Sequence, residues 1–316
     1  MLNVDLLFRV ANGKRHFTPS AKSYDIYISA FNLSQRITHT FNAAQARNKY
    51  WVIHNEYNLL PHELPNTGAR LISAAAAESD FIIDVLEQIE PKLSPDTALC
   101  VDITGFMRPH LIFLMSYLKG IGLRSFDMIY AEPSQYEKKA DTVFSSNVTE
   151  VRQVNGFEGA HSVDMASDIL IIGSGYDHDL VSHVIAYKSS AKLIQLLSLP
   201  SLSADMYQES LIRLSRVADA PIQVPEEQLA YSSANDPFLT YLVLSDAITR
   251  IQTRQGDATN LYLSPLATKP QAVGFALFYL NHLENLPASI VFPFAEQYSK
   301  GTSRGVGRVW LYPIEL

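Results

Sequence analysis

Cysteine is nearly absent: Cys100 is the only one in 316 residues. A disulfide within the chain is therefore excluded, and a reducing, cytoplasmic setting is expected. Cys100 stands inside an apolar strand pattern, where a thiol is usually inert core material. No apolar run reaches the ~18 residues of a membrane span, so no membrane partner is expected. The opening MLNVDLLFRVANGKRHF is broken by Asp5 and Arg9 and lacks the order of a signal peptide. Basic residues are in the minority, 25 Lys and Arg against 32 Asp and Glu. The resulting net charge of −7 argues against non-specific binding of duplex nucleic acid, which needs many cations to displace counterions. The nine histidines show no metal-ligand spacing and no cysteine pairs accompany them. No structural zinc site is expected and no metal ligand is assigned. A Walker-type Gly-rich loop is missing, and Gly173-Ser174-Gly175 lacks the glycine framing of a hydrolase nucleophile elbow.

What is present is an alternation of apolar strands and helices. The apolar content of 47% with 18% charged residues is that of a folded chain. An opening strand is expected at Val4–Val10. Strands then follow at Tyr24–Phe31, Tyr50–Glu56, Leu99–Ile103, Phe126–Ala131 and Val148–Val154. Helices are expected from about Asn32 to Arg47, over Ala69–Ile89, and over Pro109–Lys119. The order then recurs. Strands are expected at Asp168–Ile172, Lys192–Leu197, Asn260–Leu263, Ser289–Phe294 and Arg308–Ile314. Helices are expected at Asp179–Tyr187, Ala204–Val217, Pro237–Thr253 and Pro270–Leu283. Residues 219–236 read as a polar insert.

Two stretches are alike in detail. Residues 99–118 read LCVDITGFMRPHLIFLMSYL and residues 260–279 read NLYLSPLATKPQAVGFALFY. Each is an apolar strand, a short turn ending in a cation and proline, and an apolar helix. The pattern predicts an α/β fold of two tandem Rossmann-like or flavodoxin-like parallel-sheet units, with an internal duplication. The expected boundaries are 1–158 and 159–316, the second unit carrying a helical insert over 204–254.

In open parallel sheets, ligands bind beyond the carboxyl ends of the strands, where the strand order reverses. A flavodoxin-like order, assumed for each unit, puts the turns after its first and third strands at that crevice. In the first unit this selects Asp102, Thr104 and Arg108. Asp102 at a strand end is a candidate base if the protein is an enzyme, and Arg108 suits a two-pronged grip on phosphate. In the second unit it selects Gly173, Ser174, Gly175, Ser264, Thr268 and Lys269. The start of the helix after Thr268 offers unpaired N–H groups, a hydroxyl and an ammonium to an anion, although simple helix capping explains the same residues. The segment from Tyr298 to Arg308 holds Lys300, Arg304, Arg308 and three glycines without an acid, as a segment closing over a polyanion would. Its charges equally suit a solvated hairpin.

The Ala267-Thr268-Lys269 turn resembles an element of CARF-type sensor domains, and two such units in one chain resemble SAVED domains. The resemblance implies recognition of a cyclic or linear oligonucleotide messenger in prokaryotic antiviral defence, with Thr268 and Lys269 as ligand contacts. Ala267 stands where the family has glycine, and the first unit has Gly105–Arg108 in place of the Thr-Lys turn.

These features lead to the expectation of a binding or sensing protein. It would hold a nucleotide-like or oligonucleotide-like anion between two lobes and act through a protein partner. A nucleotide-dependent transferase or hydrolase using Asp102 is the competing reading. No cofactor is indicated.

Overall fold

A computed structural model describes residues 13–136, 145–175, 177–203, 206–208, 212, 228–256, 258–299 and 303–316. In chain order the elements are β1 (Arg15–His16), β2 (Ser23–Ala30), α1 (Gln35–Ala43), β3 (Gln45–Ile53), β4 (Ala69–Ile72), α2 (Glu78–Glu87), β5 (Leu99–Asp102), α3 (Arg108–Gly120), β6 (Ser125–Ala131), β7 (Gln135–Tyr136) and β8 (Ser145–Gln153). There follow β9 (Ile169–Gly173), α4 (His178–Tyr187), β10 (Lys192–Ser198), β11 (Leu229–Ser232), α5 (Pro237–Gln255), β12 (Leu261–Pro265), α6 (Lys269–His282), β13 (Ala288–Tyr298), β14 (Ser303–Arg304) and β15 (Val309–Glu315). The fold is α/β, with two sheets of mostly parallel strands. The expected strand Val4–Val10 and most of the expected helix Ala204–Val217 lie outside the described residues.

The described residues form two compact units. The first comprises 13–146 and 296–316, and the second 147–295.

The first unit's sheet has the order β1-β15-β6-β5-β2-β3-β4. From β4 to β6 the strands are parallel, while β15 runs antiparallel to β6 and β1 antiparallel to β15. The chain leaves β2 toward β3 and β4 on one side, then returns to place β5 and β6 on the other. The strand order therefore reverses between β2 and β5, which is where such sheets bind ligands. β2 and β5 are buried almost throughout, as strands covered on both faces must be. Phe41 of α1 stacks on Trp51 of β3 at a centroid distance of 3.7 Å, and Tyr27, Phe31, Ile37 and Cys100 pack in the same cluster. Burial pushes the Cys100 thiol well above its usual value, so it is a core residue.

Three elements differ from the sequence expectation here. The helix read over Ala69–Ile89 begins only at Glu78, and Ala69–Ile72 is instead the edge strand β4. Pairing with β3 overrides local preference: Tyr50 registers with Ala69 and Ile53 with Ile72. The helix after β2 stops at Ala43, and β3 starts at Gln45 rather than Tyr50.

The second unit's sheet has the order β11-β10-β9-β12-β13-β8. Its five strands from β11 to β13 are parallel. Relative to chain order this is the same arrangement, with the reversal between β9 and β12. β11 lies in the segment read as a polar insert. Counted over the parallel strands each order is 3-2-1-4-5, the Rossmann order and not the assumed flavodoxin-like 2-1-3-4, because β4 and β11 add an edge strand to each sheet; the order is common among doubly wound units and does not by itself establish a common ancestor. The Val154 amide, just past β8, donates to the Ile290 carbonyl and the Thr149 hydroxyl to that of Phe294, numbering that runs in opposite senses along an antiparallel pair. Each sheet thus takes a flanking antiparallel strand from the segment that follows the other sheet's fifth parallel strand: β8 follows β6 but lies beside β13, and β15 follows β13 but pairs with β6.

Candidate functional site

The carboxyl end of the first unit's sheet gathers residues from four strands. Asp102 closes β5 and is fully buried. One carboxylate oxygen accepts hydrogen bonds from the hydroxyls of Thr40, Tyr27 (3.2 Å) and Ser29 (3.4 Å), and the other from the Thr104 amide (2.9 Å). These donors tie β2, α1 and β5 together. Burial raises the Asp102 pKa above its usual carboxylate value, against the opposing pull of its hydrogen bonds. With its oxygens engaged and no exposure, Asp102 is a structural tie, and the role of base is not carried further. Thr104 is likewise buried, its hydroxyl accepting from the Ala131 amide at 3.0 Å.

Gly105 explains why the turn after β5 lies so close to β2. A Cβ there would stand 1.8 Å from the carbonyl oxygen of Ala30. The Gly105 carbonyl accepts the Tyr57 hydroxyl at 2.9 Å, and Tyr57 in turn accepts from Asn32 Nδ2 at 3.1 Å. Burial pushes the Tyr57 pKa up to about 12.

Above this floor two helices begin, each with arginine in its first turn. Arg36 is the second residue of α1 and Arg108 the first of α3. Neither N-cap residue, Ser34 or Met107, makes a side-chain cap, and neither first turn contains an acid. Both guanidiniums act electrostatically on the hydroxyls of Tyr57 and Tyr130, favouring the charged phenolate against a larger opposing effect of burial. Arg36 is steered by its bonds to the Ser34 hydroxyl (3.2 Å) and the Ala131 carbonyl (2.8 Å). A cation at a helix start opposes the helix dipole. Two such ends at one strand-order reversal make a positive environment suited to an anion.

The C-terminal segment reaches the same sheet end. Ser303 and Arg304 of β14 pair with β7, and the Gly305 amide donates to the Gln35 side chain at the start of α1 (3.2 Å). Arg304 is exposed and Tyr298 half-buried. Arg308 is bound instead to the buried carboxylate of Glu132 at 2.9 Å, which also accepts from Trp310 at 2.7 Å. Lys300 lies outside the described residues.

In the second unit the turns after β9 and β12 lie backbone to backbone. A Cβ on Gly175 would meet the Leu266 carbonyl oxygen at 2.3 Å, and the Gly173 carbonyl accepts the Leu266 amide at 3.0 Å. Ser174 and Ser264 are buried, and neither hydroxyl has a hydrogen-bond partner among the described residues. Thr268 caps α6: its hydroxyl accepts from the Gln271 amide and donates to the Ala234 carbonyl, while Gln271 reaches back to the Thr268 amide. Lys269 is half-buried beside this cap. The sequence-selected residues thus fall into two sets, Asp102, Thr104, Arg108, Tyr298 and Arg304 in one unit and Gly173, Ser174, Gly175, Ser264, Thr268 and Lys269 in the other.

Sequence reasoning missed three groups at the first unit's sheet end. Arg36 sits inside a helical pattern where cations read as solvated. The signal was available, since the capping residues Asn32 and Ser34 precede it and no acid shares its turn. Tyr57 follows a strand exit, where a lone tyrosine fits base stacking and rim packing alike, so it is not among the residues selected above. His54, Glu56 and His110 come together although residues 54 and 110 are far apart in the chain, and no local spacing announces them.

Among the described residues, no helix is long and apolar enough to cross a membrane. The chain matches no family model, no curated protein and no solved structure.

Proposed function

We propose that the chain is a binding or sensing protein for a nucleotide-like anion, held at the carboxyl end of the first unit's sheet. The observation that supports it is the pairing of two helix starts, carrying Arg36 and Arg108, beside Tyr57 and Tyr130 where the strand order reverses. Phosphate oxygens would take the helix N–H groups and the guanidiniums, while Tyr57 and Tyr130, both buried, back the guanidiniums from below. Arg304, on the segment that meets the start of α1, would add charge from one side.

The resemblance to CARF and SAVED sensors supports, within the same proposal, a cyclic or linear oligonucleotide messenger of prokaryotic antiviral defence as the ligand. Output would pass to a protein partner. The Thr268–Lys269 turn is the weaker subsite in this reading, because the Thr268 hydroxyl is occupied within the protein.

A thermal-shift screen with pyrophosphate, mononucleotides, and linear and cyclic oligonucleotides tests the reading, since a ligand that binds only the folded form raises Tm. A shift that is present in the wild type and lost in both Arg36→Ala and Arg108→Ala is expected. No shift with any phosphate-bearing probe overturns the proposal.

A further inference from the structure

His54, Glu56 and His110 each offer a ligand atom, and these atoms lie within 4.8 Å of one another. We infer that they form a binding site for a first-row divalent transition metal, of the Zn²⁺ or Co²⁺ type. This inference goes beyond the anion reading and does not depend on it.

Three elements deliver the donors. His54 follows β3, Glu56 lies in the 3-10 turn Asn55–Tyr57, and His110 is in the first turn of α3. His54 Nδ1 is 3.9 Å from Glu56 Oε2, and His110 Nε2 is 3.6 Å from Glu56 Oε1. Ligands bound at about 2.0–2.2 Å around one ion stand roughly 3.0–3.5 Å apart. Bringing these donors onto an ion therefore takes side-chain shifts of a few tenths of an ångström to about one ångström.

The surroundings favour an ion over an ordinary ion pair. Both imidazoles are buried, His54 to 1% and His110 to 3% exposure. Their rings are held by aromatic packing: His54 stacks on Phe81 at 5.1 Å, and His110 meets Phe81 edge-on at 5.0 Å. Glu56 Oε2 is buried and has no hydrogen-bond partner among the described residues, an arrangement that costs energy unless something binds it. Two imidazoles and one carboxylate match the preferences of zinc-like ions rather than of Mg²⁺ or Ca²⁺, which take mainly oxygen ligands.

A contact of the His54 ring yields on ligation. The Met107 amide donates to His54 Nε2 at 3.5 Å, the outer limit of a hydrogen bond. Ligation through Nδ1 places the ring proton on Nε2 and gives up this weak bond. Three protein ligands leave coordination positions for water or for an oxygen of an incoming anion. His110 is two residues beyond Arg108 in the same first turn, so an ion here would lie near the start of α3.

The test is titration of the full-length, metal-stripped protein with Co²⁺, followed by visible absorption, with Zn²⁺ as competitor and no nucleotide present. One Co²⁺ per chain with d–d bands of a four- or five-coordinate ion, displaced by Zn²⁺, is expected. Glu56→Gln and His110→Asn should each weaken binding at least about tenfold while circular dichroism stays unchanged. Arg108→Ala should leave Co²⁺ binding intact, which separates this site from the anion reading. If His110→Asn does not fold, Glu56→Gln, at the less buried position, decides. Absence of stoichiometric binding, or binding that survives both ligand substitutions as it would on surface histidines, overturns the inference.

Discussion

The Tyr57 hydroxyl donates to the Gly105 carbonyl at 2.9 Å, fastening the turn after β3 to the turn after β5. The bond spans the point where the strand order reverses, and it sets the floor on which Arg36 and Arg108 stand. Replacing Tyr57 by Phe keeps the ring but leaves both the Gly105 carbonyl and the Asn32 amide short of a partner. Tyr57→Phe should cost about 1–3 kcal/mol of stability, measured by urea unfolding. A neutral result would show that the bond is not maintained.

Gly105 itself admits no side chain. Its Cβ would enter the Ala30 carbonyl, a backbone group of the central strand that cannot move aside. Gly105→Ala should destabilise by about 3 kcal/mol or more, seen as a lowered Tm or loss of soluble expression. A variant with wild-type stability would mean that the turn lies farther from β2.

Asp102 gives a prediction with a pH signature. Removing its carboxylate in Asp102→Ala takes the acceptor from the Tyr27 and Ser29 hydroxyls and the Thr104 amide, while the Thr40 hydroxyl keeps the carbonyls of Arg36 and Ile37, and should cost about 2–4 kcal/mol. Asp102→Asn should fold and retain ligand binding, because the residue is a tie rather than a reacting group. The pKa of Asp102 is raised in the folded state by burial. The folded protein therefore holds this proton more tightly than the unfolded chain does. The contribution is fully present below the usual value of 3.8 and is lost as pH rises through the higher folded value. Wild type should gain stability relative to Asp102→Asn as pH falls through that window, measured by urea unfolding at a series of pH values. A difference independent of pH contradicts the assignment.

The sequence disclosed the alternation of strands and helices because burial on both faces writes near-continuous apolar runs such as LCVD in β5 and ILIIG in β9. It concealed what depends on distant partners. Asp102 at a strand end looked like a reactive carboxylate, and its engagement becomes visible only when Tyr27, Ser29 and Thr40 arrive from β2 and α1. Ala69–Ile72 carries no strong strand signal and is fixed by its register with β3. Arg308 resembled its loop neighbours until Glu132 was found beneath it. His54, Glu56 and His110 have no local motif, since a strand exit and a helix start supply them separately.

The account rests on an anion site at the start of α1 and α3 in the first unit, and isothermal titration with the strongest ligand from the nucleotide screen tests this most directly. Arg36→Ala and Arg108→Ala should each weaken binding by about 10- to 100-fold, the loss of one charge-assisted hydrogen bond, while Lys269→Ala binds as the wild type. Loss of binding in Lys269→Ala with both arginine variants unaffected would move the site to the second unit and contradict the account.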